Sequence, residues 1–240
     1  MEETFLRTEM LLGREAMDIL SRSHVAVFGL GGVGSWCAEA LCRSGVGELT
    51  LIDQDTVSES NLNRQAIALR STLGQSKADA AAQRMGDISP RCLVHPIIGR
   101  YEAERREEFF PAAYDYIVDA IDLVSCKLDL IESAHRRSIP IISALGTGNK
   151  LDPTLLQISD ISKTSGCPLA RVVRKELRNR GITRHKVVFS PEEARTPIDC
   201  GETPPPGRRS IPASVVWVPA SAGLLLASAV VQDLISGDAR

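Results

Sequence analysis

Gly29, Gly31, Gly32 and Gly34 stand in the run Gly29-Leu-Gly31-Gly32-Val-Gly34, directly after a short apolar stretch that starts at His24. Glycines at that spacing let backbone N–H groups and a helix N-terminus approach an anion. Asp53 follows about 20 residues on, where the end of the next strand presents an acid to ribose hydroxyls. The polar stretch after it holds Asp55, Asn61, Asn63, Arg64 and Gln65, and Gly74-x-x-Lys77 comes next. A hydride-carrying dinucleotide needs only the acid, because the helix N-terminus serves its pyrophosphate. Two added cations and an amide suit a triphosphate whose leaving pyrophosphate gathers charge. Farther on, Asp119-Ala-Ile-Asp122 closes another strand. One carboxylate there can hold Mg²⁺ between phosphates. Asp122 is the better placed, Asp119 lying nearer the strand, although Asp122 could also cap the helix expected from Leu123.

These residues need a scaffold that brings strand ends to one edge. Residues 1–22 read as a helical lead-in with Leu6, Met10, Leu11, Met17 and Leu20 on its apolar side. Strand, glycine turn, helix and second strand run from His24 to Asp53. An alanine-rich helix spans Gln75–Ile88, and Cys92–Ile98 is a third strand. A short charged helix is expected over Glu102–Phe110 and a fourth strand over Tyr116–Ala120. Leu123–Arg137 is helical and Pro140–Ala144 a fifth strand. Strands alternating with helices predict an α/β fold: a Rossmann-like, mostly parallel sheet with helices on both faces. After Gly148 the pattern changes to a smaller α+β part, with strands at Leu155–Ile161 and Lys186–Phe189, a basic helix over Pro168–Arg180, and a Pro- and charge-rich mobile loop over 191–212. The division expected is residues 1–148 as the nucleotide half and 149–240 as a substrate half sharing its sheet.

The 240 residues are 43% hydrophobic, 24% charged and 4% aromatic, with a net charge of −2. That is ordinary for a soluble globular protein whose core rests on aliphatic side chains, and it leaves any case for nucleic acid to local patches. One such patch exists. Residues 171–186 carry Arg171, Arg174, Lys175, Arg178, Arg180, Arg184 and Lys186 against Glu176 alone, which suits phosphate contacts; Arg208 and Arg209 extend it. The six cysteines contain no C-x-x-C pair and the four histidines are scattered in sequence. Reduced thiols, a cytoplasmic location and no zinc site are the expectation. The uncharged run Ile211–Val231 is long enough to span a bilayer, but Pro212, Pro219, Gly223 and three serines point to a buried or subunit-facing helix from about Ser221, with no stable membrane insertion.

Taken together, the glycine run, the D-x-D followed by S-N-x-N-R-Q, the G-x-x-K and the D-x-x-D resemble the E1-like adenylating superfamily over most of residues 1–165. Within it the chain is most similar to the tRNA threonylcarbamoyladenosine dehydratases. Phe5-x-Arg7-x-Glu9-x-x-x-Gly13, Ala66-x-Ala68-Leu69, Asp152-Pro153-Thr154, Asp160-Ile-Ser-Lys163-Thr164, Pro168-Leu169, Val172-x-Arg174 and the Gly223-bearing last helix carry that likeness. The resemblance implies an enzyme that uses ATP and Mg²⁺ to cyclise the threonylcarbamoyl group of a tRNA adenosine beside the anticodon to a hydantoin. It implies that the four glycines cradle phosphates, Asp53 takes the ribose, Asn61, Arg64 and Lys77 contact the triphosphate, and Asp122 the magnesium. Arg7 would reach the ATP of the other subunit, which implies a homodimer. The partners expected are then the anticodon arm of tRNA, held by Arg171, Arg174, Lys175, Arg178, Arg180 and Lys186, and a sulfur-transfer or cysteine desulfurase system.

Two departures matter. The sulfur-carrier activators of the group usually carry two C-x-x-C zinc pairs, which this chain lacks. Some dehydratases have a cysteine before the last helix, at a position falling near Ala213 to Val215, and none stands there. No thioester step is assigned, and Cys167 and Cys200 read as ordinary thiols. Adenylation of a protein C-terminus, as in ubiquitin-like or sulfur-carrier activation, is the alternative activity.

Overall fold

The computed structural model describes residues 3–198, 200–201 and 212–237. Seven strands form one sheet in the order β3-β2-β1-β4-β5-β7-β6. They are β1 (His24–Phe28), β2 (Glu48–Asp53), β3 (Leu93–Ile98), β4 (Tyr116–Asp119), β5 (Ile141–Ala144), β6 (Gln157–Asp160) and β7 (Lys186–Phe189). All pairings are parallel except β6 with β7, which is antiparallel. The fold is thus Rossmann-like, and the chain reverses its direction of travel across the sheet between β1 and β4. That switch opens a crevice at the carboxyl edge, where ligands of open α/β sheets bind.

Alternating side chains feed two cores. Val25, Val27, Leu49 and Leu51 face one of them, shared with helices α2 (Arg14–Leu20), α3 (Gly34–Arg43), α4 (Lys77–Ile88) and α7 (Trp217–Ser236). Ala26, Phe28, Ile52 and Ile117 face the other, closed by α5 (Val124–Arg136) and α6 (Pro168–Asn179). β1 is buried along its whole length, as expected of a central parallel strand.

Several boundaries differ from the sequence expectation. The lead-in is two helices, α1 (Leu6–Leu12) and α2, because Gly13 adopts φ 86° and ψ 163°, a conformation open to glycine. The break leaves Met10 and Leu11 78% and 85% exposed instead of on a core-facing side. The charged stretch after β3 is a 3₁₀ helix, Ala103–Phe109. The last helix begins at Trp217, not Ser221. Pro219 falls in its first turn, where a missing N–H costs no helical bond. Among the described residues, α7 is the one helix long and apolar enough to cross a membrane, and it packs into the first core through Ala222, Leu226, Ala227 and Val230. Residues 191–198 hold no helix or strand, while 199, 202–211 and with them Arg208 and Arg209 lie outside the described residues.

Candidate active site

The glycine turn is built by close backbone approach. Gly29 has φ +90°, and a Cβ there would stand 2.7 Å from the Ala120 carbonyl oxygen. A Cβ on Gly34 would fall 1.8 Å from the Gly29 oxygen, so no side chain fits. Gly31 has nothing within 4 Å of its would-be Cβ; it faces open space at the mouth of the turn. Ser35 ties the turn to the next loop, its Oγ donating to Gly31 O (2.7 Å) and accepting from Ala66 N (3.1 Å). Asp53 braces the same turn from the end of β2. Its Oδ2 accepts from Leu30 N at 2.6 Å and its Oδ1 from Asp55 N at 2.8 Å, so a ribose would share an acid already aligned by backbone.

The loop after β2 folds over this turn as a wall. Asn61 closes a 3₁₀ turn, its Oδ1 accepting from Ser58 N at 3.2 Å; its amide NH₂ is the group left to donate. Arg64 donates through Nη1 to Ser60 O (2.8 Å) and Asn63 Oδ1 (2.9 Å). Burial draws its pKa below the ordinary value, yet a guanidinium remains cationic at neutral pH. Trp36 Nε1 donates to the Arg64 carbonyl at 3.0 Å, locking this loop onto α3. Gln65 is buried, and its Oε1 finds no hydrogen-bond partner among the described residues. Such an orphan is costly, and a donor from a ligand would satisfy it. Lys77 opens α4, which Ser76 caps through Asp79 N. The lysine is 5% exposed, and its Nζ meets Asp55 Oδ2 at 2.9 Å.

Across the crevice, Asp119 and Asp122 part company. Asp119 is fully buried and its Oδ2 accepts from Lys127 Nζ at 2.6 Å; Lys127, also fully buried, donates to Ala144 O at 3.0 Å. Asp122 is exposed on the loop that follows β4. Lys127 was not singled out from sequence, yet a signal exists. It stands on the stripe Leu123, Lys127, Leu130, Ile131, Ala134, where a helix facing a core calls for an apolar residue.

The remaining residues lie apart. Arg7 is exposed on α1, away from this crevice. Of the basic residues, Arg174 is engaged inside the fold, its Nη1 donating to Thr164 O (2.7 Å) and Oγ1 (2.6 Å). Lys186 is held 2.7 Å from Asp233 of α7, and Arg180 3.3 Å from Glu132 and 3.5 Å from Glu176. Among the described residues no ion pair engages Arg171, Lys175 or Arg178, which are exposed on α6. All six cysteines are free thiols, five of them buried and Cys200 exposed.

Residues 5–237 match the ThiF family. The chain belongs to the ThiF family. It is 43% identical over 239 residues to the tRNA threonylcarbamoyladenosine dehydratase of Bacillus subtilis, covering 96% of this chain and 94% of that one. It is similar in structure to the Escherichia coli tRNA N6-threonylcarbamoyladenosine dehydratase TcdA solved in complex with ATP, with a TM-score of 0.88 at 34% identity over 99% of this chain and 96% of that one. The molybdopterin-synthase adenylyltransferase of Salmonella typhimurium is 34% identical over only 54% of this chain and 51% of its own length.

Proposed function

We propose that the protein is an ATP-dependent tRNA threonylcarbamoyladenosine dehydratase, closing the threonylcarbamoyl group of a tRNA adenosine to a cyclic hydantoin through an acyl-adenylate. The observation that carries this reading is the reach of the likeness to the Bacillus subtilis dehydratase through α6, β7 and α7. The adenylyltransferase that activates a sulfur carrier matches little more than half of the chain, which disfavours the alternative of a protein C-terminus as substrate. Residues 1–148 then act as the adenylating half and 149–240 as the half that receives the tRNA.

The chemistry follows from the charges at the crevice. The substrate carboxylate is ionised at neutral pH and needs no general base. Its oxygen attacks the α-phosphorus of ATP, and pyrophosphate leaves with the electrons of the broken P–O bond toward Arg64 and Lys77. Gly29, Gly31, Gly32 and Gly34 line the phosphates, Asn61 and Gln65 add amide contacts, and Asp53 orients the ribose. A urea nitrogen of the same threonylcarbamoyl group then attacks the activated carbonyl; AMP departs and the nitrogen gives up its proton. The attack is intramolecular, and such positioning is worth roughly 7–11 kcal/mol. No cysteine is required, in keeping with the burial of five of the six.

A hard divalent cation fits an exposed carboxylate at this sheet edge. Because Asp119 is neutralised by Lys127, Asp122 would hold Mg²⁺, whose contribution is to offset phosphate charge. Lys77 lies against Asp55, so Asp55 keeps the cation at the wall of the site for the phosphates. Arg7 beside exposed Met10 and Leu11 suits a face covered by a second copy, with Arg7 completing the partner's site. The tRNA contacts narrow to Arg171, Lys175 and Arg178. Six free thiols fit a reducing cytoplasm.

The direct test is incubation with ATP, Mg²⁺ and threonylcarbamoylated tRNA, followed by nucleoside mass analysis. A mass loss of one water is expected, and Lys77→Ala should abolish it without unfolding the protein. No dehydration beside an active control enzyme would refute the reading.

A further inference from the structure

A second constellation lies at the amino-terminal edge of the sheet, away from the glycine turn. His24 opens β1 and Glu48 opens β2, and the two are register partners; Thr50 of β2 is the partner of His95 in β3. Alternation along strands puts His24, Glu48, Thr50 and His95 on one face. His24 Nδ1 is 3.4 Å from Glu48 Oε1, and His95 Nε2 is 2.8 Å from the same oxygen. One ligand atom from each of the three residues lies within 4.8 Å of the others. Zinc holds nitrogen and oxygen at about 2.0–2.2 Å, so two of its ligands at tetrahedral angles stand about 3.4 Å apart. His24 and Glu48 are already at that spacing, and the 2.8 Å hydrogen bond between His95 and Glu48 would open by roughly half an ångström to admit such an ion.

The surroundings point the same way. His24 Nε2 is 2.8 Å from Thr50 Oγ1. That bond turns Nδ1 toward Glu48, as the outer-shell bond of a metal-ligating histidine does. Asp115 is occupied in accepting from His24 N at 2.8 Å. The side chains of His95 and Glu48 are 51% and 33% exposed, so a fourth position opens to water.

We propose that His24, Glu48 and His95 form a site for a zinc-class divalent ion, completed by solvent, that clips edge strand β3 to β1 and β2. β3 is the outer strand of the sheet on that side, and edge strands are where sheets open and pair wrongly. The ion would be structural, since no feature of the nucleotide crevice is near this edge.

The test uses the full chain, stripped with chelator and titrated with Zn²⁺ alone while thermal unfolding is followed, and with Co²⁺ in the visible. Saturation at one ion per chain, a higher Tm, and cobalt bands of a four-coordinate nitrogen and oxygen site without thiolate charge transfer are expected. His95→Ala, at a half-exposed position, and the isosteric Glu48→Gln should each weaken binding by more than the roughly 10–100-fold that loss of an outer-shell partner costs. Absence of binding at micromolar Zn²⁺ would overturn the proposal. So would binding unchanged in both variants, or a cobalt spectrum showing thiolate, which would place the ion on cysteines.

Discussion

Replacing Lys127 by methionine isolates the buried pair beneath the crevice. Lys127 and Asp119 are both fully buried, with Nζ 2.6 Å from Oδ2. Methionine keeps the length and apolar stem but leaves the Asp119 carboxylate unpaired, while the Ala144 carbonyl loses its 3.0 Å donor. Breaking a buried pair from one side costs about 3–5 kcal/mol, out of a total stability of about 5–15 kcal/mol. With a urea m-value of about 3 kcal/mol per molar, the midpoint should fall by roughly 1–1.7 M. Asp119→Asn in the same background removes the stranded charge and should recover part of the loss, a non-additive result expected of direct partners. Urea unfolding of the four proteins, followed by circular dichroism, reads each value. A Lys127→Met protein within about 1 kcal/mol of the parent would refute the reasoning, as would strictly additive single effects.

Three further outcomes are expected. His185 is buried with its pKa lowered to about 3 by desolvation, then by His135 and Lys127, so the unfolded chain binds its proton first as pH falls below 6.5. Stability should rise with pH between about 3 and 6.5 and be flat above; this residue alone should account for a loss of about 2 kcal/mol between pH 7 and pH 5. His185→Gln, which can still meet Ser143, should flatten that slope in urea titrations at several pH values, and an unchanged slope would count against it. Gly223→Ala would put a Cβ 2.4 Å from the Val33 oxygen. The roughly 1 kcal/mol of helix propensity gained should lose to about 1–3 kcal/mol of overpacking, lowering the calorimetric Tm; a higher Tm would show that α3 and α7 can part freely. Alanine at Arg171, Lys175 and Arg178 together should reduce the salt slope of tRNA binding by about 2 to 3, measured by filter binding, with ATP-dependent AMP formation on a free substrate analogue unaffected. An unchanged slope would remove α6 from the interface.

Much of the fold was legible because periodicity and punctuation agree. Gly29 to Gly34 mark the turn, Ser76 caps α4, and Val25, Val27, Leu49 and Leu51 alternate into one core. The errors have local causes. Gly13 in a conformation open to glycine splits the lead-in, which no apolar count reveals, and the helix expected from about Ser221 starts earlier because Pro219 is accommodated in its first turn. At the site, spacing picked out the residues that meet at the crevice but not how they pair with one another. Only the structure shows Asp119 neutralised by Lys127 and Asp53 accepting from the turn it was expected to leave for ribose. The same holds for the basic stretch, where Arg174 and Lys186 have partners on distant elements, Thr164 and Asp233. The His24–Glu48–His95 cluster was invisible for the opposite reason. Its members are scattered along the chain and meet only through the register of β1, β2 and β3.

The approach of Gly223 to Val33 and Cys37 has a consequence for synthesis on the ribosome. The glycine turn emerges early, but the α3 face that supports it is covered by α7, more than 180 residues later. A nascent chain therefore carries the apolar side of α3 uncovered until α7 clears the exit tunnel. A messenger truncated before α7 would yield a polypeptide with Asn61, Arg64 and Lys77 present and a glycine turn whose following helix has lost its cover. Chaperone engagement during that interval, and rapid proteolysis of stalled chains, follow from the order in which the two helices are made.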